Sequence, residues 1–600
     1  MTRVALLAWA IVAVALCWRF DPMRAPLEAD TQLYFYMAER AASGVPPHVS
    51  QVDSKNDLGV LVTAAAIRAG RAAGIDDVDA SRAVSIAFGA AAVALAAEAG
   101  ALLAGSAAAG HLAALSLVAC RGLVAHAAFG NDVKVFLVAF LLAAHVAAAR
   151  RRDAVAALMA GAAFAVWQPA LLAVAAIALE ALVARGGGSR RALRVAFFAA
   201  LPFAACEAWF AWHGALREQL FQAFVMASGS MHDRVRVLTS VRFLLTEAGN
   251  AASPWRVVPA AFALALAGAA AFAVLRPRRA VEVLRTRPGL LSFWLAALGA
   301  TAFTIYDHQG VPDLFFPDPY YAIAVALLAT GAGRLVAALV PAWDPWPARL
   351  ACAAAAVLVA QQIHGDDGRR AAPAWDLDAQ RRLAAIVRIW TQQPGSVWVY
   401  GAVHLLGLAH ADNHVPYGLF YGDIESVLDV RTYRPLRDGR MPELIVYTRG
   451  ELPGSAAWLE DEYADITPPA FAAQGAMVWL RTSPQPGPPG VDWRSRFRAP
   501  ALSPPAAVAR TGPAWERAAP PRRRSPAGRR AGGAPPRIPT PRTANVAPRD
   551  AAAGHGGATP VPLVAAPGRQ AAPPPRAAPG PGGKPEEGAG PGEFSSPGGR

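Results

Sequence analysis

The sequence predicts an α-helical polytopic membrane protein with about eleven transmembrane helices, followed by a small C-terminal α/β domain and a disordered tail. Three observations predict it. Hydrophobic residues make up 54% of the chain and charged residues only 17%, a balance that leaves large apolar surfaces in water unless lipid covers them. Apolar runs of roughly 17 to 22 residues with almost no charge recur, the length a helix needs to cross about 30 Å of hydrocarbon. After residue 363 the pattern changes to that of a soluble domain, and after 485 to Pro, Gly, Ala and Arg.

The apolar runs lie near residues 4–20, 83–104, 112–129, 132–149, 154–167, 168–184, 192–212, 256–275, 289–306, 318–340 and 347–363. The first is followed by no small-residue cleavage site, so it is expected to stay as an uncleaved helix. Arg68 and Arg71 interrupt the run 58–73, which reads as an amphipathic helix lying on the membrane surface. The connections rich in arginine, Arg150 to Arg152, Arg185 with Arg190, Arg191 and Arg194, and Arg276 with Arg278 and Arg279, fall on one side, together with Arg3. By the positive-inside rule that side is cytoplasmic. Residues 21–82, 130–131, 213–255, 307–317 and everything after 363 are then expected outside.

This reading divides the chain into a transmembrane domain at 1–363, a soluble extracytoplasmic α/β domain at 364–485 and a disordered tail at 486–600. WDLDAQRRLAAIVRIW (375–390) has helical periodicity, and VWVYG (397–401), PELIVYTR (442–449) and AMVWLRT (476–482) have the apolar runs of short strands. The tail lacks the large apolar residues a core requires. It also carries 17 Lys/Arg against six Asp/Glu, which accounts for most of the net charge of +14 and leaves no basic, aromatic-studded stripe for nucleic acid. Cys17, Cys120, Cys206 and Cys352 all sit in apolar segments, so neither a disulfide nor a zinc site is expected.

The first outside loop is the most polar part of the membrane domain. It reads EADTQLYFYMAERAASGVPP (28–47), then HVSQVDSKNDLG (48–59), and concentrates Glu28, Asp30, Glu39, Asp53, Lys55 and Asp57 just after a span. In a helix beginning near residue 30, Asp30 and Tyr34 share one face at i, i+4. A carboxylate there can take a proton from an acceptor hydroxyl, and it reads equally as a helix N-cap.

The order of first span, acidic residue, Asp-x-x-x-Tyr, Gly-x-Pro turn, Lys and amphipathic helix resembles the GT-C glycosyltransferases, among them the protein O-mannosyltransferases and the aminoarabinose transferases. The resemblance covers roughly residues 1–363. It implies a polyprenyl-phosphate-linked sugar donor, possible mannose transfer, a lipid, glycan or protein acceptor outside a bacterial inner membrane, and inversion at the sugar carbon that can proceed without a metal. It places the catalytic base at Asp30. In this loop the family often has a Lys-Pro-Pro-Leu element, whereas this chain has Lys55-Asn56-Asp57-Leu58. A cation beside the donor phosphate would stabilise the leaving group, and Lys55, Lys134 and Arg234 are the candidates.

Further candidates for substrate binding are Glu28 and Tyr34 in the first loop, Asp132 with Lys134 in GNDVK, Gln168 in WQP, and Asp307, His308 and Gln309 in YDHQGVPDLFFPDPYY. The turn residues and aromatics of these last segments also suit helix caps and a membrane-interface belt. His404, His410, Asp412 and His414 suggest metal ligands, but no second ligand cluster follows them in the sequence. No cofactor is therefore expected, and the sequence leaves the part of a divalent cation open. The residues leave two other classes open: a lipid or polysaccharide transporter or flippase, and a noncatalytic envelope assembly protein.

Overall fold

The computed structural model of the protein describes residues 1–130, 133–184, 187–227, 257–306, 311–339, 353, 357, 376–391, 397–414, 442–448, 463–472 and 476–482. Compactness groups Met1–Val508 as one unit and Ala509–Arg600 as another. The described residues are mostly helical. The apolar run at the N-terminus forms α1 (Arg3–Trp18), and the first loop folds into α2 (Ala29–Ala42), α3 (Pro47–Ser50) and α4 (Leu58–Ala72) before the long α5 (Asp77–Ala104).

Helix α5 is the centre of the bundle because one face of it is built from small residues. Gly89, Ala90, Ala92, Ala96, Ala97 and Gly100 are all buried there, which lets neighbouring helices approach closely. A Cβ on Gly100 would stand 2.6 Å from Ala113 Cβ of the helix Ala107–Val118. The outer faces are apolar: Val4, Leu7 and Ile11 of α1 and Leu193 and Phe197 of the helix Ser189–Trp212 are exposed, as lipid-facing surfaces require.

Among the described residues, Asp77–Ala104, Ser189–Trp212 and Asp318–Leu339 are each long and apolar enough to cross a membrane. Two bent pairs bring the number to five. The other apolar helices are shorter, among them Val133–Ala149, Asp153–Val166 and Phe262–Leu275. The run 112–129, expected as one straight span, is instead two helices meeting at 65°. The break falls where Cys120 leaves the helical region at ψ 84° and where its thiol lies 2.7 Å from Asp318 Oδ2. The expected run 347–363 lies outside the described residues except for residues 353 and 357.

Helix α4, expected on the membrane surface, keeps its two arginines exposed while they bond to protein groups. Arg68 donates to the carbonyls of Ala41 and Ala42, both at 2.9 Å, and Arg71 reaches carboxylates described below. Arg82 of α5 is buried and donates to the carbonyls of Pro22, Ala25 and Phe129. It thereby holds the stretch that leads from α1 into α2 against the bundle.

The C-terminal segment contributes the helix Leu377–Trp390, N-capped by Asp376, whose Oδ1 accepts from Ala379 N at 2.8 Å. It also contributes a four-stranded sheet of β1 (Val397–Tyr400), β2 (Leu444–Thr448), β3 (Tyr463–Asp465) and β4 (Ala476–Arg481) in the order β1-β2-β4-β3. The β1–β2 pair is parallel and the other two pairs are antiparallel. Sequence pattern picked out three of these strands. It missed β3, whose three residues are too few to show a period. Trp390 is buried and stacks on Phe471 with ring centroids 5.4 Å apart. Trp390→Ala is expected to destabilise this region by about 3–5 kcal/mol, measured as earlier protease cleavage of the segment in detergent-solubilised protein.

This segment docks on α2 through main-chain contacts. Gln380 is fully buried, accepts from Leu27 N at 2.9 Å and donates to Leu27 O at 3.0 Å. Leu377 N donates to Arg24 O at 3.0 Å, and Asn413 N donates to the Tyr36 hydroxyl at 3.0 Å. Helix α2 thus lies between the apolar bundle and the sheet-bearing segment.

Candidate active site

The candidate site starts at the N-terminus of α2. Glu28 is its N-cap and is exposed, and the Glu28 N–H donates to Thr31 Oγ1 at 3.1 Å. That start places Asp30, partly exposed, in the first turn and Tyr34 one turn later on the same face. Tyr34 is buried and its hydroxyl accepts from Lys55 Nζ at 2.6 Å, with the ammonium 5.3 Å from the Tyr34 ring centroid. This contact orients the Lys55 ammonium beside Tyr34.

The contacts continue from Lys55 into the bundle. The carbonyl of the preceding residue, Ser54, accepts from Gln168 Nε2 at 2.8 Å, and the same nitrogen donates to Ala223 O at 2.8 Å. Gln168 stands at the 3₁₀ turn Gln168–Ala170, where Pro169 interrupts the apolar run. Its amide nitrogen is committed to main chain, which makes it a tie between the first loop and the bundle. Trp167, next to it, has its ring centroid 4.9 Å from Lys134 Nζ. Lys134 is buried and ion-paired with Asp313, itself buried.

Tyr34, Lys55, Gln168 and Lys134 are therefore joined by one run of contacts, with Asp30 a helical turn away. Asp313 was not singled out as a partner for Lys134; its place in a polar loop facing GNDVK was the available signal. Asp132, Asp307, His308 and Gln309 lie outside the described residues, as does Arg234.

Behind this site the first loop is pinned by groups that sequence pattern did not pair. His48 and Asp57 are buried with Nε2 and Oδ2 2.5 Å apart. His48 Nδ1 lies 2.8 Å from Gln222 Oε1, and Gln222 Nε2 donates to His48 O at 3.0 Å. Burial opposes charge on the imidazole, but the Asp57 carboxylate beside it holds its pKa above the ordinary histidine range. Burial likewise pushes Asp57 up, with His48 opposing it.

On the opposite face of α2, Glu39 is fully buried and meets Arg71 Nη2 at 2.7 Å and His410 Nδ1 at 3.0 Å. Arg71 also meets Asp77 at 2.6 Å, and Arg40 meets Asp412 at 2.5 Å. One ligand atom each from Glu39, Asp77 and His410 lies within 4.8 Å of the others, spacing that suits a metal ion. The Arg71 guanidinium already bridges both carboxylates, placing a protein cation where an ion would have to bind. Its acidic half comes from the first loop, which is why the spacing of His410, Asp412 and His414 did not disclose it. His404 takes no part: its Nδ1 faces Gln32 Oε1 at 2.7 Å, and burial pushes its pKa down to about 3.

Burial pushes the Glu39 carboxyl up, but His410, Arg40 and Arg71 outweigh it and hold its pKa below the ordinary range. A lowered folded pKa contributes stability that is complete above the ordinary carboxylate range and is lost as pH falls through the lowered value. Glu39→Gln is expected to cost about 2 kcal/mol at neutral pH. The difference from wild type should shrink on acidification in thermal unfolding. A difference independent of pH would show that the ionised carboxylate contributes nothing.

No family model matches the chain, and no curated protein does. In backbone arrangement it is similar to ArnT from Cupriavidus metallidurans bound to undecaprenyl phosphate, with a TM-score of 0.48 and 14% identity over 81% of this chain and all of that one. It is also similar to the Archaeoglobus fulgidus oligosaccharyltransferase tethered to an acceptor peptide, with a TM-score of 0.43 and 11% identity over 80% of this chain and 74% of that one. The archaeal oligosaccharyltransferase AglB from the same organism, in complex with an inhibitory peptide and a dolichol-phosphate, gives 0.44 and 11% identity over 74% and 69%.

Proposed function

We propose that this chain is a membrane glycosyltransferase that moves a sugar, mannose being the first candidate, from a polyprenyl-phosphate carrier to an acceptor hydroxyl on the extracytoplasmic side. The observation that carries this reading is the placement of Asp30 one turn from Tyr34, whose hydroxyl is held by Lys55 at 2.6 Å. A carboxylate able to take a proton and an ammonium able to receive a phosphate then share one site beside the apolar bundle.

In this mechanism the acceptor hydroxyl donates its proton to Asp30 as its oxygen attacks the anomeric carbon. The bond from that carbon to the carrier phosphate breaks on the opposite face, with inversion. The phosphate leaves with the electron pair, and Lys55, aided by Lys134, offsets the charge that develops on it. Tyr34 keeps the Lys55 ammonium oriented, and Glu28, at the exposed start of α2, lies where an acceptor approaches. The exposed apolar helix faces allow a carrier lipid to reach the site from the bilayer. Asp132, Asp307, His308 and Gln309 remain proposed sugar contacts on the strength of their loops alone.

The test is transfer of label from radiolabelled polyprenyl-phosphate-mannose into lipid or protein acceptors by membranes containing the wild-type chain. Transfer above that of membranes lacking the chain supports the reading. Absence of transfer with mannose and with other polyprenyl-phosphate sugars would overturn it.

A further inference from the structure

A buried polar clamp lies two residues beyond Lys55, and the bonding around it fixes where its protons must be. Gln222 Oε1 accepts from Asp53 N at 3.2 Å while Gln222 Nε2 donates to His48 O at 3.0 Å. A flipped amide would set N–H against N–H and oxygen against oxygen, so the orientation of Gln222 is determined by the main chain. Its Oε1 also lies 2.8 Å from His48 Nδ1, and an acceptor in that place requires Nδ1 to carry a proton. His48 Nε2 is then left for Asp57, 2.5 Å away, with both side chains wholly buried.

The residues this clamp spans are those that carry Lys55. His48 ends one arm of the segment and Asp57 the other, Asp53 is tied to the same Gln222, and Asn56 Nδ2 donates to Phe164 O at 2.7 Å. Asn56 and Asp57 follow the lysine, and tertiary contacts restrict the backbone there.

We infer that the His48–Asp57 pair, seated on Gln222, is a positioning device that holds Lys55 in register for the donor phosphate. The inference rests on the glycosyltransferase reading for the identity of that phosphate. Its structural half stands apart from it: without the pair, the 51–57 segment loses two of its buried anchors and the Lys55 ammonium leaves Tyr34.

The experiment compares the full-length wild type with His48→Ala, Asp57→Ala and Asp57→Asn in detergent. It reads the rate at which Lys55 is acetylated by acetic anhydride, by mass spectrometry, and the KM and kcat of sugar transfer from polyprenyl-phosphate-mannose. The two alanine variants are expected to expose Lys55 and accelerate its labelling at least about tenfold, and to lower kcat/KM by about a hundredfold, the scale of a misplacement near 1 Å. Asp57→Asn is the discriminating variant. With Nδ1 protonated, a neutral His48 accepts at Nε2 from the new amide, so the clamp is rebuilt without charge and labelling stays within about twofold of wild type.

Unchanged Lys55 labelling in folded His48→Ala and Asp57→Ala would overturn the proposal. So would faster labelling with unaltered kcat/KM. If the alanine variants do not fold, Asp57→Asn decides, because labelling as fast as in denatured protein would show that the pair does not act through this buried close contact. Should the wild type transfer no sugar at all, the functional reading fails, and the labelling series still shows whether the clamp positions Lys55.

Discussion

Replacing Asp30 by asparagine is expected to reduce sugar transfer by about 10²- to 10⁴-fold, the range supplied by a positioned general base. Asparagine retains the size of the side chain, and the N-cap of α2 is Glu28, so the loss falls on proton removal and not on folding. Asp30 sits in the first turn of that helix and is partly exposed, as the proposed base must be to meet an acceptor. The loss should appear in kcat, with binding of polyprenyl phosphate to purified protein unchanged. Equal transfer by wild type and Asp30→Asn would keep the enzyme and remove Asp30 as its base. A variant that still folds but no longer binds the carrier would assign Asp30 to the donor instead.

Lys55→Met is expected to produce the second large loss, about 10²- to 10³-fold in kcat, the cost of removing one preorganised group that stabilises a developing negative charge. The methionine side chain keeps most of the length of the apolar stem and discards the ammonium, whereas alanine would also leave a gap. The Tyr34 hydroxyl loses its 2.6 Å partner, so part of the effect passes through Tyr34. Tyr34→Phe separates the two contributions. It leaves the ammonium in place without its oriented acceptor and is expected to cost about tenfold, near the net worth of one hydrogen bond. Lys55→Arg should recover part of the activity if charge alone matters. No recovery would show that the compact ammonium geometry is required.

The helical, membrane-inserted character of the chain was readable directly from sequence, because hydropathy is a local, additive property. The run of apolar residues that forms Ser189–Trp212 needs no partner to declare itself. The i, i+4 relation of Asp30 and Tyr34 was readable for the same reason, since a helix sets it without help from the rest of the fold. Likewise, the alternating and continuous apolar patterns at residues 397–401, 442–449 and 476–482 located three strands, while the short β3 carried too few residues to be seen.

What only the tertiary structure decided is who faces whom. Lys55 meets a hydroxyl 21 residues earlier in the chain, Gln222 orients a histidine 174 residues away, and Glu39 meets His410 across 371 residues. Each of these pairings depends on how the helices pack, and none leaves a periodic trace in the sequence. The break at Cys120 has the same origin, as its thiol lies against Asp318, 198 residues further on. The sequence by itself determined where the helices form and which of them are apolar enough to cross a membrane, because backbone propensity and transfer free energy act on each segment alone. The fold decided which charges are paired and buried, because the free energy of a buried charge depends on the group placed against it.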